Sequence, residues 1–344
     1  MSDKLAQMLS ARDWILADGA TGTNMFALGL EHGEAPERWN LEETDKVKAH
    51  YRSFIDAGSD LVLTNSFGGT ANRLKLHQLD GQVHEINAAA ARLLAEAIAE
   101  SGRDVICAGD VGPTGDLFAP VGPLSHEDGV AAFVAQMEGL KAGGADVLWI
   151  ETMSSEEEYA AALEAAATVG LPCVGTMSFD TNGRTMMGVT PARLAGIVHD
   201  CAHDHAPVAW GGNCGTGAPD LLIGVISAAD RITEDDVIVT KANCGVPEYH
   251  DGAIRYSGTT ELMATYACLA RDLGVRIIGG CCGTTPNHIA AMREALETTP
   301  RGPRPGPQDV LDRLGPVTGT TMELLTGAAA APARRPGRRR RGAA

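Results

Sequence analysis

The feature that most constrains this chain is an alternation. Short apolar runs of strand length recur eight times, at 14–17, 60–63, 105–109, 147–150, 173–177, 208–211, 237–240 and 276–278. Amphipathic or alanine-rich stretches of helical period follow them in turn, at 46–57, 83–100, 129–142, 156–168, 191–201, 221–229, 260–273 and 286–296. Such repeated βα units build a parallel sheet. Eight of them with no second cluster of strands predict a single closed (β/α)8 barrel, an architecture of about 250 residues. A doubly wound open sheet is the alternative topology. The barrel is expected to occupy residues 1–298. A proline-rich linker with a short docking segment should follow over 299–326, and the Ala, Pro, Gly and Arg of 327–344 cannot bury a core and predict a disordered tail. That tail reads as a solvated segment or, more sharply, as an electrostatic tether to an acidic partner.

Charge and composition narrow the function. The chain carries a net −16 although six arginines crowd between Arg334 and Arg341, so its body is more acidic still. An acidic surface repels phosphate backbones, and with 4% aromatic residues there are few platforms for stacking bases. Nucleic acid is therefore not an expected partner. No apolar run approaches the roughly 20 residues of a membrane span, and the first residues lack the apolar region of a signal peptide, so the expected location is the cytoplasm. Eight cysteines in a reducing compartment point to metal binding or catalysis rather than disulfides.

In a barrel of this kind the chemistry gathers where the strands end at their C-terminal side. The residues there are Asp18, Asn65, Asp110, Glu151, Asp180, Asn213 with Cys214, Asn243 with Cys244, and Cys281 with Cys282. A ring of polar groups converging on one mouth describes a site. Three or four of them are thiols from neighbouring strands, a set suited to Zn²⁺. Successive side chains of an extended strand face opposite ways, so Cys281 and Cys282 can share one ion only in a turn, which Gly279, Gly280 and Gly283 permit. Two core cysteines or a vicinal disulfide are the plainer readings of that pair. Cys107, Cys173, Cys201 and Cys268 fall within predicted strands and helices and read as packing thiols. Cys201, His203 and His205 lie on the opposite face as a surface cluster. The glycine-rich turn Asp18-Gly19-Ala20-Thr21-Gly22-Thr23 lacks the lysine of a nucleotide loop, but amides such as those of Gly19 and Ala20 can cradle a carboxylate. Asp18 and Glu151 would then accept an ammonium group, with Asn213 and Asn243 as further substrate contacts. Together these features describe a pocket for an α-amino acid that carries a thiol.

Six motifs in order resemble the homocysteine S-methyltransferase family. They are Asp-Gly-Ala-Thr-Gly-Thr at 18–23, Leu-Thr-Asn-Ser-Phe-Gly-Gly-Thr at 63–70, Gly-Asp-Val-Gly-Pro-Thr-Gly at 109–115, Glu-Thr-Met at 151–153, Gly-Gly-Asn-Cys at 211–214 and Gly-Gly-Cys-Cys-Gly-Thr-Thr-Pro at 279–286. The resemblance implies a zinc enzyme with Cys214, Cys281 and Cys282 as ligands and the homocysteine sulfur in the fourth position. It also implies that Asp18 and Glu151 contact the polar end of homocysteine, and that the ionised thiol takes a methyl group to give methionine. Cys244 stands where related synthases carry alanine, either as a spectator or as a fourth ligand in the substrate-free state.

The methyl donor is less constrained. The second motif is similar to that of the homocysteine-binding domain of cobalamin-dependent methionine synthase, whereas betaine-dependent relatives carry an aromatic residue near the position of Gly68. The present residues include neither a folate nor a cobalamin module, so the resemblance implies a donor held by a separate cobalamin-binding protein. Betaine or another small methylated donor is the alternative, with Trp39 as one cation–π wall. Two other classes remain: a non-catalytic barrel with a structural four-thiolate zinc site that includes Cys244, and a thiol redox protein using Cys281 and Cys282.

Overall fold

The structure, a computed structural model, describes residues 4–250 and 253–326. The strands among them are β1 (Ile15–Leu16), β2 (Leu61–Leu63), β3 (Ile106–Val111), β4 (Val147–Met153), β5 (Cys173–Met177), β6 (Ala209–Cys214), β7 (Ile238–Ala242), β8 (Pro247–His250), β9 (Ala253–Tyr256) and β10 (Ile277–Gly280). All but β8 and β9 form one parallel sheet in the order β1-β10-β7-β6-β5-β4-β3-β2. A parallel bridge from Ala17 to Leu61 joins the two edges, and the Asp60 amide donates to the Leu16 carbonyl at 2.7 Å. The fold is the predicted (β/α)8 barrel.

Each predicted strand is present, but several run on past their predicted C-terminal ends. β4 continues to Met153 and β6 to Cys214, beyond the expected stops at Ile150 and Gly211. Polar residues such as Glu151 and Asn213 look like loop starts in sequence, yet they stay in the sheet because a barrel strand can turn a polar side chain into the mouth. The connecting helices start on side-chain caps. Ser125, Ser155, Thr190 and Thr259 each accept a backbone N–H from three residues on, which satisfies an otherwise unpaired donor.

The barrel interior follows the two-residue period of its strands. Ile106 and Ala108, Val147 and Trp149, Ile15 and Ala17, and Val239 with Ile277 pack inside as one apolar cluster. Leu5 and Met8 of the helix Lys4–Ala11 join that cluster. Continuing the same alternation brings Asp110, Glu151, Asn213, Lys241 and Cys281 to the opposite end. The inward faces are therefore apolar below and polar at the mouth.

Two elements lie outside the repeating units. β8 and β9 pair as an antiparallel hairpin between β7 and the helix Thr260–Leu273. After the last barrel helix, Pro286–Thr298, the chain runs into a helix over Pro307–Leu314 that packs on helices Ala218–Ser227 and Thr260–Leu273. A 3-10 turn over Thr321–Thr326 follows. The predicted disorder of 327–344 concerns residues outside the described ones. Among the described residues, no helix is long and apolar enough to cross a membrane.

Candidate active site

At the mouth is a cavity of about 470 Å³. Its wall includes the turn Gly19 to Thr23, the segment Leu63 to Gly68, Asp110, Glu151, Lys241 and all three of Cys214, Cys281 and Cys282. The turn after β1 sits close against the loop after β10. A Cβ on Gly19 would meet the Thr284 carbonyl oxygen at 2.6 Å, so only glycine fits this approach.

The charged groups of the mouth are buried and out of balance. Lys241 donates to Asp18 Oδ1 at 2.6 Å, with the two side chains 2% and 1% exposed. Asp18 Oδ2 accepts the Leu63 amide at 2.8 Å, so both of its oxygens are engaged. Asp18 is thus placed beneath the cavity rather than in its wall. Room for the lysine comes from Gly279, its partner across the β10–β7 ladder, where a Cβ would lie 3.0 Å from Lys241 Cγ. The lysine also stands 5.4 Å from the centre of the Trp149 ring. Sequence reasoning missed Lys241, although a lone cation inside the run Val-Ile-Val-Thr-Lys-Ala was the available signal.

Two further carboxylates face this single cation. Glu151 accepts the Trp149 indole N–H at 3.1 Å. Asp110 has an Oδ1 with no hydrogen-bond partner. Burial pushes Glu151 up to about 8, helped by the charge of Cys281 and opposed by Lys241. It also holds Asp110 well above the ordinary carboxylate range, with Glu151 adding to the effect. Asp18 is raised by burial too, against the pull of Lys241. For Lys241, burial opposes the charge, but Asp18 and Glu151 outweigh it and the amine is held above its usual range.

The three thiols come from two turns. Cys214 ends β6 in the left-handed region at φ 58°, with Gly215 next at 73°. Cys281 and Cys282 follow β10 directly, anchored where the Cys281 amide donates to Ala242 and the Cys244 amide donates to the Cys282 carbonyl. Gly283, at φ 79°, completes this turn. Cys214 and Cys282 sulfurs lie 3.8 Å apart, and all three sulfurs fall within 4.8 Å of one another. Such a group could hold a metal ion. Hydrogen bonds from Cys214 and Cys281 push Cys282 down to about 3, while its neighbours are pushed up, Cys281 to about 12. Cys282 is therefore the thiolate of the trio, held by hydrogen bonds from its two neighbours. Tyr256, at the end of β9, also bonds Cys282 and was missed in the sequence, since a tyrosine outside the barrel units carried no signal.

The remaining predicted positions are spread around this centre. Asn213 accepts from the Thr152 amide and the Thr176 hydroxyl at 2.8 Å each, donates to Thr152 Oγ1, and has its Nδ2 3.9 Å from Cys281 Sγ. Asn243 donates to the Gly215 carbonyl at 2.6 Å, which fixes the turn behind Cys214. Asn65 lines the cavity. Asp180 is exposed and pairs with Thr181. Cys244 is not in the thiol group: its sulfur lies 3.3 Å from His288 Nε2. Trp39 is buried, and its ring carries Lys46 Nζ at 4.5 Å.

Comparison with known proteins bears on this arrangement. A family profile described as homocysteine S-methyltransferase matches residues 15–296, which is most of the chain and includes every residue of the site. The chain belongs to the homocysteine S-methyltransferase family. Structures of the homocysteine methyltransferase MmuM from Escherichia coli share its fold. The metallated form matches with a TM-score of 0.69 at 23% identity, covering 84% of this chain and 99% of that one. The apo form matches with a TM-score of 0.64 at 21% identity, covering 85% and 99%. In this member of the homocysteine S-methyltransferase family, the thiols, the buried carboxylates and the glycine turn thus stand around one cavity.

Proposed function

We propose that this chain transfers a methyl group to the sulfur of homocysteine, giving methionine, with Zn²⁺ held by Cys214, Cys281 and Cys282. The observation that carries the reading is the thiol trio in the wall of a cavity that also exposes Glu151 and Asp110. A tetrahedron of sulfurs about 2.3 Å from zinc has edges of about 3.8 Å, and the Cys214 to Cys282 separation is 3.8 Å. Three protein thiolates leave one tetrahedral position for the substrate thiol. When bound, zinc lets that thiol ionise near neutral pH while the thiolate-rich ligand set keeps it nucleophilic.

The protein's own groups then orient the substrate. Glu151 and the unpartnered Asp110 oxygen supply acceptors for the ammonium, and burial strengthens both contacts. Asp18 stands behind them, fixed by Lys241 and the Leu63 amide, and the turn from Gly19 borders the space for the carboxylate. Asn213 and Asn243 hold the segments that carry Thr152 and Cys214. Holding sulfur and methyl donor in line is the main catalytic contribution of such a site. The eight cysteines are free thiols, as suits a reducing cytoplasm.

We assign the donor to a separate cobalamin-binding protein. Of the large apolar side chains exposed among the described residues, all but Val208 lie on segments that follow a strand's C-terminal end, with Phe26 and Leu76 in the cavity wall and Leu117, Val121, Met186 and Val246 after β3, β5 and β7. An apolar rim suits a docking protein. Trp39, covered by Lys46, does not supply a wall for a quaternary ammonium. The test is an assay of the purified protein with homocysteine and, separately, methylcobalamin, betaine and S-methylmethionine. Methionine from methylcobalamin alone supports the assignment, and turnover with either small cation overturns it. Cys214→Ala, Cys281→Ala and Cys282→Ala should each lose zinc, and full retention by all three would refute the ligand set.

A further inference from the structure

The family match ends at residue 296, yet the chain beyond it returns to the metal-binding turn. After the helix Pro307–Leu314, residues 315–326 cross the helix Ala218–Ser227 with Val317, Met322 and Leu325 packed on the main core. Thr318 is the first polar residue of this segment to reach the mouth side. Its amide donates to Asp220 at 3.0 and 3.2 Å, and its hydroxyl lies 2.9 Å from Asp220 Oδ1 and 3.0 Å from Thr216 Oγ1. Thr321, fully buried, donates its hydroxyl to the same Asp220 oxygen at 2.7 Å. Between them, the Thr320 amide donates to Asn182 in the loop after β5.

The partners of this segment are not arbitrary. Thr216 is two residues from Cys214, and Asp220 lies in the first turn of the helix that the same loop leads into. The loop has Cys214, Gly215 and Gly217 at φ 58°, 73° and 134°. A non-glycine residue in the left-handed region is strained and persists only where its surroundings hold it. Asn243 holds the loop from the barrel side through Gly215. On the other side the bonds come from Thr318 and Thr321. Asp220 is buried, so its charge is compensated only by donors, and two residues of this segment supply most of them.

We propose that residues 316–326 are a strap that positions Cys214 for the metal, with Thr318 and Thr321 as positioning residues acting through Asp220 and Thr216. The inference rests on the zinc reading of the thiol trio. Partners that orient metal ligands typically set metal affinity by tenfold or more. This strap does so from outside the family domain. It couples the ligand turn to a segment that lies after the matched residues 15–296.

The test uses the full chain and measures zinc affinity by competition with a chromophoric chelator, with circular dichroism as the check on folding. Thr318→Val with Thr321→Val keeps the methyl groups and removes the hydroxyls, and it should bind zinc about tenfold more weakly. Thr318→Ser with Thr321→Ser keeps the hydroxyls and should bind as the wild type does. If the valine pair does not fold, Thr216→Val removes a single contact and should weaken zinc about threefold. Wild-type affinity in the valine variants, or equal weakening by serine, overturns the strap. A wild-type chain that holds no zinc removes the metal reading and the strap's role with it.

Discussion

The two ends of the barrel treat buried carboxylates in opposite ways. At the N-terminal end, Asp60 accepts from Arg12 at 2.6 Å, from Arg293 at 2.8 Å and from the Leu16 amide at 3.0 Å. At the mouth, Asp18, Asp110 and Glu151 share the cation of Lys241, and an Asp110 oxygen has no partner. A carboxylate surrounded by donors holds the fold together, whereas one left short of donors is available to a cation that is yet to arrive. Asp60 ties the barrel's first turns, and the mouth is prepared for an ammonium.

The comparison can be broken most sharply at Lys241. Lys241→Met leaves Asp18 buried without its cation and should destabilise the fold by about 3–5 kcal/mol, measured by urea unfolding. An unchanged stability would mean that Asp18 is not held by this pair. Asp60→Asn should come next, with about 1–3 kcal/mol lost while kcat/KM for homocysteine stays within about twofold. A large kinetic effect there would erase the distinction between the ends. Glu151→Gln should do the reverse. Stability should hold near neutral pH, where the raised Glu151 is mostly protonated, and gain on the wild type as pH rises through 8, while the KM for homocysteine rises about tenfold, as expected for loss of a charge-assisted contact.

The comparison is sharpened last by pH dependence. Glu151 is pushed up to about 8 in the folded chain, from an ordinary value of 4.5. The folded state therefore binds more protons than the unfolded one between those values, and this contribution is complete below pH 4.5 and lost as pH rises through 8. A cation at the thiols would offset the contribution of Cys281 and leave that of burial, so the effect is reduced in the loaded protein. Unfolding curves of the wild type should fall relative to Glu151→Gln from pH 5 to pH 9. Parallel curves would contradict the burial of an underpaired Glu151.

Much of this was legible because a barrel repeats. Eight alternations gave the topology, and the thiols at strand ends marked the centre by their adjacency and their glycines. Lys241 was hidden because burial of a lysine depends on Asp18, 223 residues away. The N-terminal helix escaped notice, and the strap was read only as a short docking segment, for a related reason. Leu5, Met8, Val317 and Met322 are too few in each segment to show a period, and only tertiary packing gives them a role. The strands were read short where their inward residues became polar. At those places function overrides the apolar pattern.

The central claim is that Cys214, Cys281 and Cys282 hold zinc with one position kept for the substrate sulfur. Zinc-edge X-ray absorption of the loaded protein, with and without homocysteine, tests it most directly. The account predicts three sulfurs and one light atom at zinc without substrate, and four sulfurs near 2.3 Å once homocysteine is added. Four sulfurs in the substrate-free protein, unchanged by homocysteine, would contradict it and mark a closed structural site.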